Sequence, residues 1–243
     1  MFDVGANIVA PFLWQKKIRT IDSIVLSHPN SDHLNGLIYI AENFHVKNLW
    51  TNHETTSSFG YQMFMETIKK NNIQIPAYNK IIGVHDINGV HIDVLYPPVD
   101  FIRKKEIESW RNLNNNSLVL KMSFGTTSFL FPGDIKSKAE YELVSEIGDK
   151  LKSTVLLAPH HGSETSSTES FIEKVTPEVV VISSRWKSRF GFPHPLVLKR
   201  YQNKNCRILG TALNGAIFIS TDGQALTIRP TIAEKNTSFD NIH

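Results

Sequence analysis

A single cysteine, Cys206, excludes an internal disulfide and any zinc site built from several thiolates. It sits in "CRILG", a stretch that reads as a strand, so its expected role is a buried structural thiol rather than a nucleophile. No run approaches the ~20 apolar residues of a membrane span. No charged-then-apolar leader opens the chain. The expectation is a soluble protein, cytoplasmic as the sequence stands. An excess of one charge is missing too: 26 basic residues against 23 acidic ones leave +3, which permits contact with polyanions without demanding it. The basic residues fall in short clusters, "KKIR" at 16–19, "RKK" at 103–105 and "RWKSR" at 185–189, whose plain reading is a solvated face. With no repeat and no linker, the 243 residues are most simply one α/β domain over 1–230. A tail follows over 231–243, where "TIAEKNTSFDNIH" loses periodicity.

What is present is a mixed order of elements. "MFDVGAN" reads as the end of a strand entering a glycine turn, and "SIVLS" as a short strand. "LNGLIYIAENF" has helical spacing, "VKNLWT" reads as a strand, and "FGYQMFMETIKKN" as a helix with Met63, Phe64 and Ile68 on its core face. Asn88-Gly89 between two alternating runs predicts a tight hairpin, whose arms carry His85 and His91 as ordinary strand residues. A second hairpin turns near Gly125. Next come a helix "SKAEYELVSEIG", a strand "TVLLAP", a helix near "STESFIEKV", a strand "EVVVISS" and a helix "PLVLKRYQN" with Pro195 in its first turn. A hairpin around Asp222-Gly223 closes the domain. Strand hairpins alternating with helices suggest two mixed sheets with helices outside.

The unusual polar residues each follow a predicted strand. They are "HPNSDH" after "SIVLS", "PGD" with Asp134 after "SFLF", "HHGS" after "TVLLA", and "HP" with His194 beyond "VVVISS". Singly, each could be a polar turn. Together, loops at strand ends can converge on one edge of a layered sheet. Histidine and aspartate bring the imidazole nitrogens and carboxylate oxygens that bind a zinc- or manganese-like ion.

In this order the segments resemble the metallo-β-lactamase fold and, within it, the hydrolase domain of the ComEC DNA-internalisation competence proteins. "FDVGAN", "LSHPNSDHLNGL", "NNNSLVLKMSFGTTSFLFPGDI", "APHHGSETSSTESFIEKVTPEVVVIS" and "ILGTALNGAIFISTDG" carry the likeness over almost the whole chain. The resemblance implies a four-layer αββα sandwich, N-terminally truncated because the family's opening strands are missing. Its membrane-spanning part is absent here as well. Two departures stand out. Asn30 occupies a place usually held by Asp or His, and "SRFGFPHP" lacks the family's asparagine and has two residues between Gly191 and His194.

The resemblance also implies a site. Asp134 would bridge two metal positions. One would take His28, Asn30 and the Asn115-Asn116-Ser117 stretch, a weak set. The other would take Asp32, His33, Asp134 and His161, with His160 behind it or in exchange with it. The implied cofactor is Mn2+ or Zn2+, one ion tight and a second weak. Hydroxide generated from metal-bound water would attack phosphorus, with Asp32 and Asp134 in the catalytic set and His194 protonating the leaving oxygen. Asn116, Ser117 and Ser163 would donate to the phosphate. Arg185, Lys187 and Arg189 would hold a nucleic-acid backbone, with Trp186 or Phe190 stacking on bases. The function so implied is a nuclease on single-stranded DNA, partnered by a separate membrane channel component. The alternative is a degenerate module that binds DNA or a partner without turnover.

Overall fold

The structure is a computed structural model that describes residues 2–185 and 188–233. Its start corrects one expectation: "MFDVGAN" does not end a strand but opens a helix. Gly5–Val9 forms a wide turn running into α1 (Ala10–Gln15). The Asp3 carboxylate accepts from the Ala6 N–H at 3.0 Å and so caps this turn. Gly5 lies flat against the next long helix, since a Cβ there would stand 2.1 Å from the Gly36 carbonyl oxygen.

The chain continues through β1 (Thr20–Leu26), α2 (Ser31–Asn43), β2 (His45–Thr51), α3 (Phe59–Lys70), α4 (Tyr78–Ile81), β3 (Gly83–Ile87) and β4 (Val90–Tyr96). Next are α5 (Phe101–Ile107), β5 (Val119–Phe124), β6 (Thr127–Phe131), α6 (Ser137–Ile147), β7 (Val155–Leu157), α7 (Glu169–Val175) and β8 (Val179–Ile182). It closes with α8 (Pro195–Asn203), β9 (Arg207–Gly210), α9 (Thr211–Asn214), β10 (Ile217–Thr221) and β11 (Leu226–Pro230). Local chemistry explains several boundaries. Ser58 caps α3 by accepting from the Tyr61 N–H, and Asn88 and Gly89 both adopt positive φ, as a two-residue hairpin turn requires. In α3, Phe64 and Ile68 are buried as their four-residue spacing demands, but Met63 is 39 % exposed and not core. It sits one position off the buried stripe.

Seven strands form the central sheet in the order β3-β4-β5-β6-β7-β8-β9, antiparallel as far as β6 and parallel from there to β9. One face, with Leu130, Leu156, Val180 and Ile182, packs under Leu143, Phe171 and Val197 of α6, α7 and α8. The other face meets two small sheets. Val25 and Trp50 of the parallel pair β1-β2 lie on Val94 and Leu120, and Ile219 and Ile228 of the antiparallel pair β10-β11 lie on Val155, Val179 and Leu209. Behind β1-β2, Ile24 and Leu26 pack on Ala10, Leu34 and Phe64 of α1, α2 and α3. The layers are therefore αββα. The second β-layer differs from the expected mixed sheet: it is split into two separate pairs.

Parallel β6, β7 and β8 release their chains at the same edge of the sheet. The Leu118 N–H donates to the Ser27 carbonyl at 2.8 Å and brings the end of β1 to that edge too. Cys206, just before β9, is partly buried, and burial raises its thiol pKa, which suits an inert packing residue. Among the described residues, no helix is long and apolar enough to cross a membrane.

Candidate metal centre

Three strand ends carry the ligands of the site. After β1, the Asn30 carbonyl accepts from the N–H groups of His33 and Leu34, at 3.0 and 3.1 Å. This starts α2 at Ser31 and places Asp32 and His33 on its first turn, where a carboxylate also favours the helix dipole. After β6, Gly133 adopts φ +60° and turns Asp134 inward, and the Asp134 N–H donates to Ser117 Oγ at 3.1 Å. After β7, His160 and His161 take φ of 50° and 57° in succession, followed by Gly162 at 80°. Consecutive left-handed non-glycine residues are strained, and such strain is held where surrounding structure over-determines it. Here the His160 N–H is tied to the Gly133 carbonyl at 3.1 Å.

The ligand atoms of Asp32, His33, Asp134 and His161 all lie within 4.8 Å of one another. His33 Nε2 is 3.2 Å from Asp134 Oδ1, His161 Nε2 is 3.7 Å from Asp134 Oδ2, and His161 Nε2 is 3.4 Å from Asp32 Oδ2. The same Asp134 Oδ2 lies 3.8 Å from His28 Nε2 and 3.9 Å from His160 Nε2. Four imidazoles face one nearly buried carboxylate.

Hydrogen bonds behind the rings fix which nitrogen faces the site. His161 Nδ1 donates to the Ser183 carbonyl at 2.9 Å, so Nε2 faces the carboxylates and, in the metal-free protein, donates to Asp32 from the protonated ring. Ser117 Oγ donates to the Asn114 carbonyl at 2.7 Å, so towards His28 Nδ1, 3.1 Å away, it acts as acceptor. His28 then carries its proton on Nδ1, and its Nε2 presents a lone pair to Asp134. Ser27 Oγ lies within reach of both His28 Nδ1 and His33 Nδ1, at 3.1 and 3.3 Å. As a result the Nε2 atoms of His28 and His33 are buried with no hydrogen-bond partner. The His28 lone pair, turned towards the Asp134 carboxylate without a proton between them, repels it, and a divalent cation resolves the conflict. The residues fit a metal ion on this ground and by the chemistry of their donor atoms.

Electrostatics agree. The hydrogen bond from His161 holds the Asp32 carboxyl far below the usual carboxylate range. Burial would raise Asp134, but His33, His161 and His28 outweigh it and keep it ionised. Burial would lower His161, yet the Asp32 hydrogen bond and the charge of Asp134 raise it. Burial, then His33, pushes His28 down to about 4. That last shift makes a prediction for the metal-free protein. His28 is depressed from 6.5, so its stabilising contribution is full above 6.5 and is lost as pH falls towards about 4. The loss amounts to about 3 kcal/mol. Thermal midpoints of metal-free protein should fall over that window, and His28→Gln should flatten the fall. His161 contributes with the opposite sign, so the comparison with the variant isolates His28. An unchanged slope in the variant would refute the burial of a neutral imidazole there.

An open cleft of about 530 Å³ leads to the cluster, lined by Asn30, Asn114, Asp32, Asp134, His160, His161, Ser183, Ser184, Arg185, Phe190 and Phe192, among others. Several sequence-based assignments need correction against it. Asn116 is buried and donates to Glu54 at 3.1 Å, Ser117 is the inward hub just described, and Ser163 bonds Thr165 at 3.0 Å. None of the three lines the cleft. The cleft meets Asn114 and Ser184 instead. Asn115 serves the backbone, accepting from the Lys136 N–H and donating to the Trp110 carbonyl, so it is no ligand. Asn30 donates to Asn114 Oδ1 at 2.9 Å. His194 caps α8: its Nδ1 accepts from the Leu196 N–H and its Nε2 faces Glu164 at 3.3 Å, and it does not line the cleft. Arg185 lines the cleft, while Arg189 lies over the Phe190 ring at 4.8 Å. Lys187 and Trp186 fall outside the described residues, as does the tail from 234 on.

Sequence reasoning missed Ser27, Ser183 and Glu140. Glu140 is fully buried and accepts from the N–H groups of Ser167 and Thr168, at 2.5 and 2.7 Å, holding the far end of the histidine loop. Its signal was an acidic residue on the apolar stripe of α6 beside Ala139 and Leu143.

Comparison with known proteins places the chain in a family. The family model described as the metallo-beta-lactamase superfamily matches residues 1–184. The chain is 29 % identical over 216 residues to ComE operon protein 3 of Bacillus subtilis, covering 89 % of this chain and 26 % of that protein. It is 30 % identical over 222 residues to competence protein ComA of Neisseria gonorrhoeae, covering 89 % and 28 %. The chain thus spans about a quarter of the length of these relatives and fits a ComEC-like hydrolase domain. A solved structure titled CmlA beta-hydroxylase E377D mutant shares the fold, with a TM-score of 0.50 at 12 % identity over 79 % of this chain and 43 % of that one.

Proposed function

The chain belongs to the metallo-beta-lactamase superfamily, and from that premise we propose that it is a divalent-metal-dependent phosphodiesterase, a nuclease whose substrate is single-stranded DNA. The observation that carries the reading is the pair of buried, unpartnered nitrogens of His28 and His33 turned towards Asp134. Asp32, His33, Asp134 and His161 would hold the ion, with His28 and His160 across Asp134 offering a weaker second place. Two carboxylates among imidazoles suit Mn2+ as well as Zn2+. A divalent ion supplies Lewis acidity towards a phosphoryl oxygen and acidifies a water to near neutrality.

The protein's own groups do the rest. Ser183, Ser27 and Ser117 hold the imidazoles in the tautomer that directs Nε2 inward. Asp32 is the most open member of the cluster, with 58 % of its side chain exposed, and can accept a hydrogen bond from the attacking water. Arg185 places positive charge on the cleft wall, where a phosphate backbone would pass. With His194 committed to Glu164 and α8, protonation of the leaving oxygen is left to solvent in the open cleft. DNA as substrate is supported by Arg185 and by relatives named for competence. A separate membrane channel component would deliver the strand to the domain on the cytoplasmic side.

Purified protein should carry close to one tightly held ion by elemental analysis. Added Mn2+ should let it cleave a labelled single-stranded oligonucleotide, and a chelator should stop it. A second reading rests on Asn30, which bonds Asn114 and gives the weaker position no ligand: a module that binds DNA without turnover. Full metal occupancy with DNA binding and no cleavage would select that reading instead.

A further inference from the structure

Two phenylalanines stand out on the cleft wall. Phe190 is 64 % exposed, and its ring stacks on Phe192 with centroids 5.7 Å apart and planes 29° apart. Phe192 in turn meets His160 edge-on at 5.7 Å. Neither ring belongs to a hydrophobic cluster of the described residues. The pair therefore does little for the core while leaving apolar surface in water beside a metal-binding cluster. The same cleft presents Arg185 and Ser184. The Ser184 backbone is fixed on both sides by Thr211, at 3.0 Å each, yet its buried hydroxyl has no partner. An acceptor oxygen of a ligand would satisfy it. A flat apolar face, a guanidinium and a spare hydroxyl donor in one cleft match the parts of a nucleotide.

We propose that Phe190 and Phe192, with Arg185 and Ser184, form a subsite for one nucleotide unit of the substrate strand, the base on the ring pair and the phosphate at the polar groups. The proposal rests on the nuclease reading and adds to it a place on the cleft wall for one unpaired base. Base–aromatic stacking tolerates any base because each has a π face, whereas a paired base is not free to stack. The subsite therefore selects single strands without reading sequence.

The test is binding, separate from cleavage. Full-length protein in chelator is titrated by fluorescence anisotropy with a labelled thymidine oligonucleotide and with an abasic oligonucleotide of equal length. The thymidine strand should bind at least about 5-fold more tightly. Phe190→Ala and Phe192→Ala should erase the difference, and Phe190→Trp should keep it. Because Phe190 is exposed, its replacement leaves the fold intact, which circular dichroism checks. Thymidine monophosphate should compete better than inorganic phosphate, which separates a nucleotide subsite from a bare anion site. Equal wild-type affinity for the two strands, discrimination that survives in both alanine variants, or no binding to either strand overturns the proposal. Discrimination without metal-dependent cleavage would sink the nuclease reading and leave the subsite standing. Cleavage without discrimination would do the reverse.

Discussion

Asp134→Asn is expected to abolish metal-dependent hydrolysis, by at least about 10³-fold, and to abolish the stabilisation that added metal gives the wild type. The two halves share one cause. Asp134 is 3 % exposed and its oxygens face the nitrogens of His28, His33, His160 and His161 at 3.2 to 3.9 Å. With an ion, the same change removes the anionic donor shared by both sides of the cluster. Wild-type protein with free ion at about 100 times its Kd should gain roughly 2.7 kcal/mol, seen as a rise of about 5–10 °C in Tm. The variant should show no such rise. An active variant, or one that keeps the metal-induced rise, would remove Asp134 from the centre of the site.

The sequence disclosed this cluster's raw material because the chemistry is local. "SHPNSDH", "PGD" and "HHGS" name their residue types within a few positions, and their common place after strands points to one edge of the sheet. Which atoms turn inward is not local. Ser117 and Asn114 are three residues apart in one polar run, yet packing against Gly133 and Asp134 makes Ser117 a buried hub and leaves Asn114 on the cleft. His194 looked catalytic beside its prolines, but a side chain just before Pro195 at a helix start is placed to cap that helix, and it does so. The αββα layering followed from the alternation of hairpins and helices, whereas the split of the second β-layer depended on pairings between distant segments. At the N terminus, glycine in "DVGAN" suggested a turn. The reason for it, contact with the Gly36 carbonyl, lay thirty residues away in α2.

Gly133→Ala should then damage stability and metal affinity together, because one methyl would strike the groups that aim the histidines. Gly133 adopts φ +60°, a left-handed conformation that costs a residue with a Cβ roughly 1–2 kcal/mol. Its new Cβ would stand 2.7 Å from Ser117 Cβ, 2.9 Å from Ser117 Oγ and 3.2 Å from Ser27 Cβ. These neighbours are the starts of short side chains fixed by their backbones, so they cannot swing away, and overpacking of this kind adds roughly 1–3 kcal/mol. Together the two effects should lower Tm by about 5–15 °C in a chain of this size. Displacing Ser117 and Ser27 also moves the hydroxyls beside Nδ1 of His28 and His33. Loss of such support behind a metal ligand typically weakens binding by about 10- to 100-fold. Calorimetric titration with Mn2+ or Zn2+, done well below the variant's Tm, measures that loss apart from stability. A variant less stable but with wild-type metal affinity would show that the serines do not position the imidazoles. Wild-type values in both measurements would mean that the loop between β6 and α6 yields more easily than its packing allows.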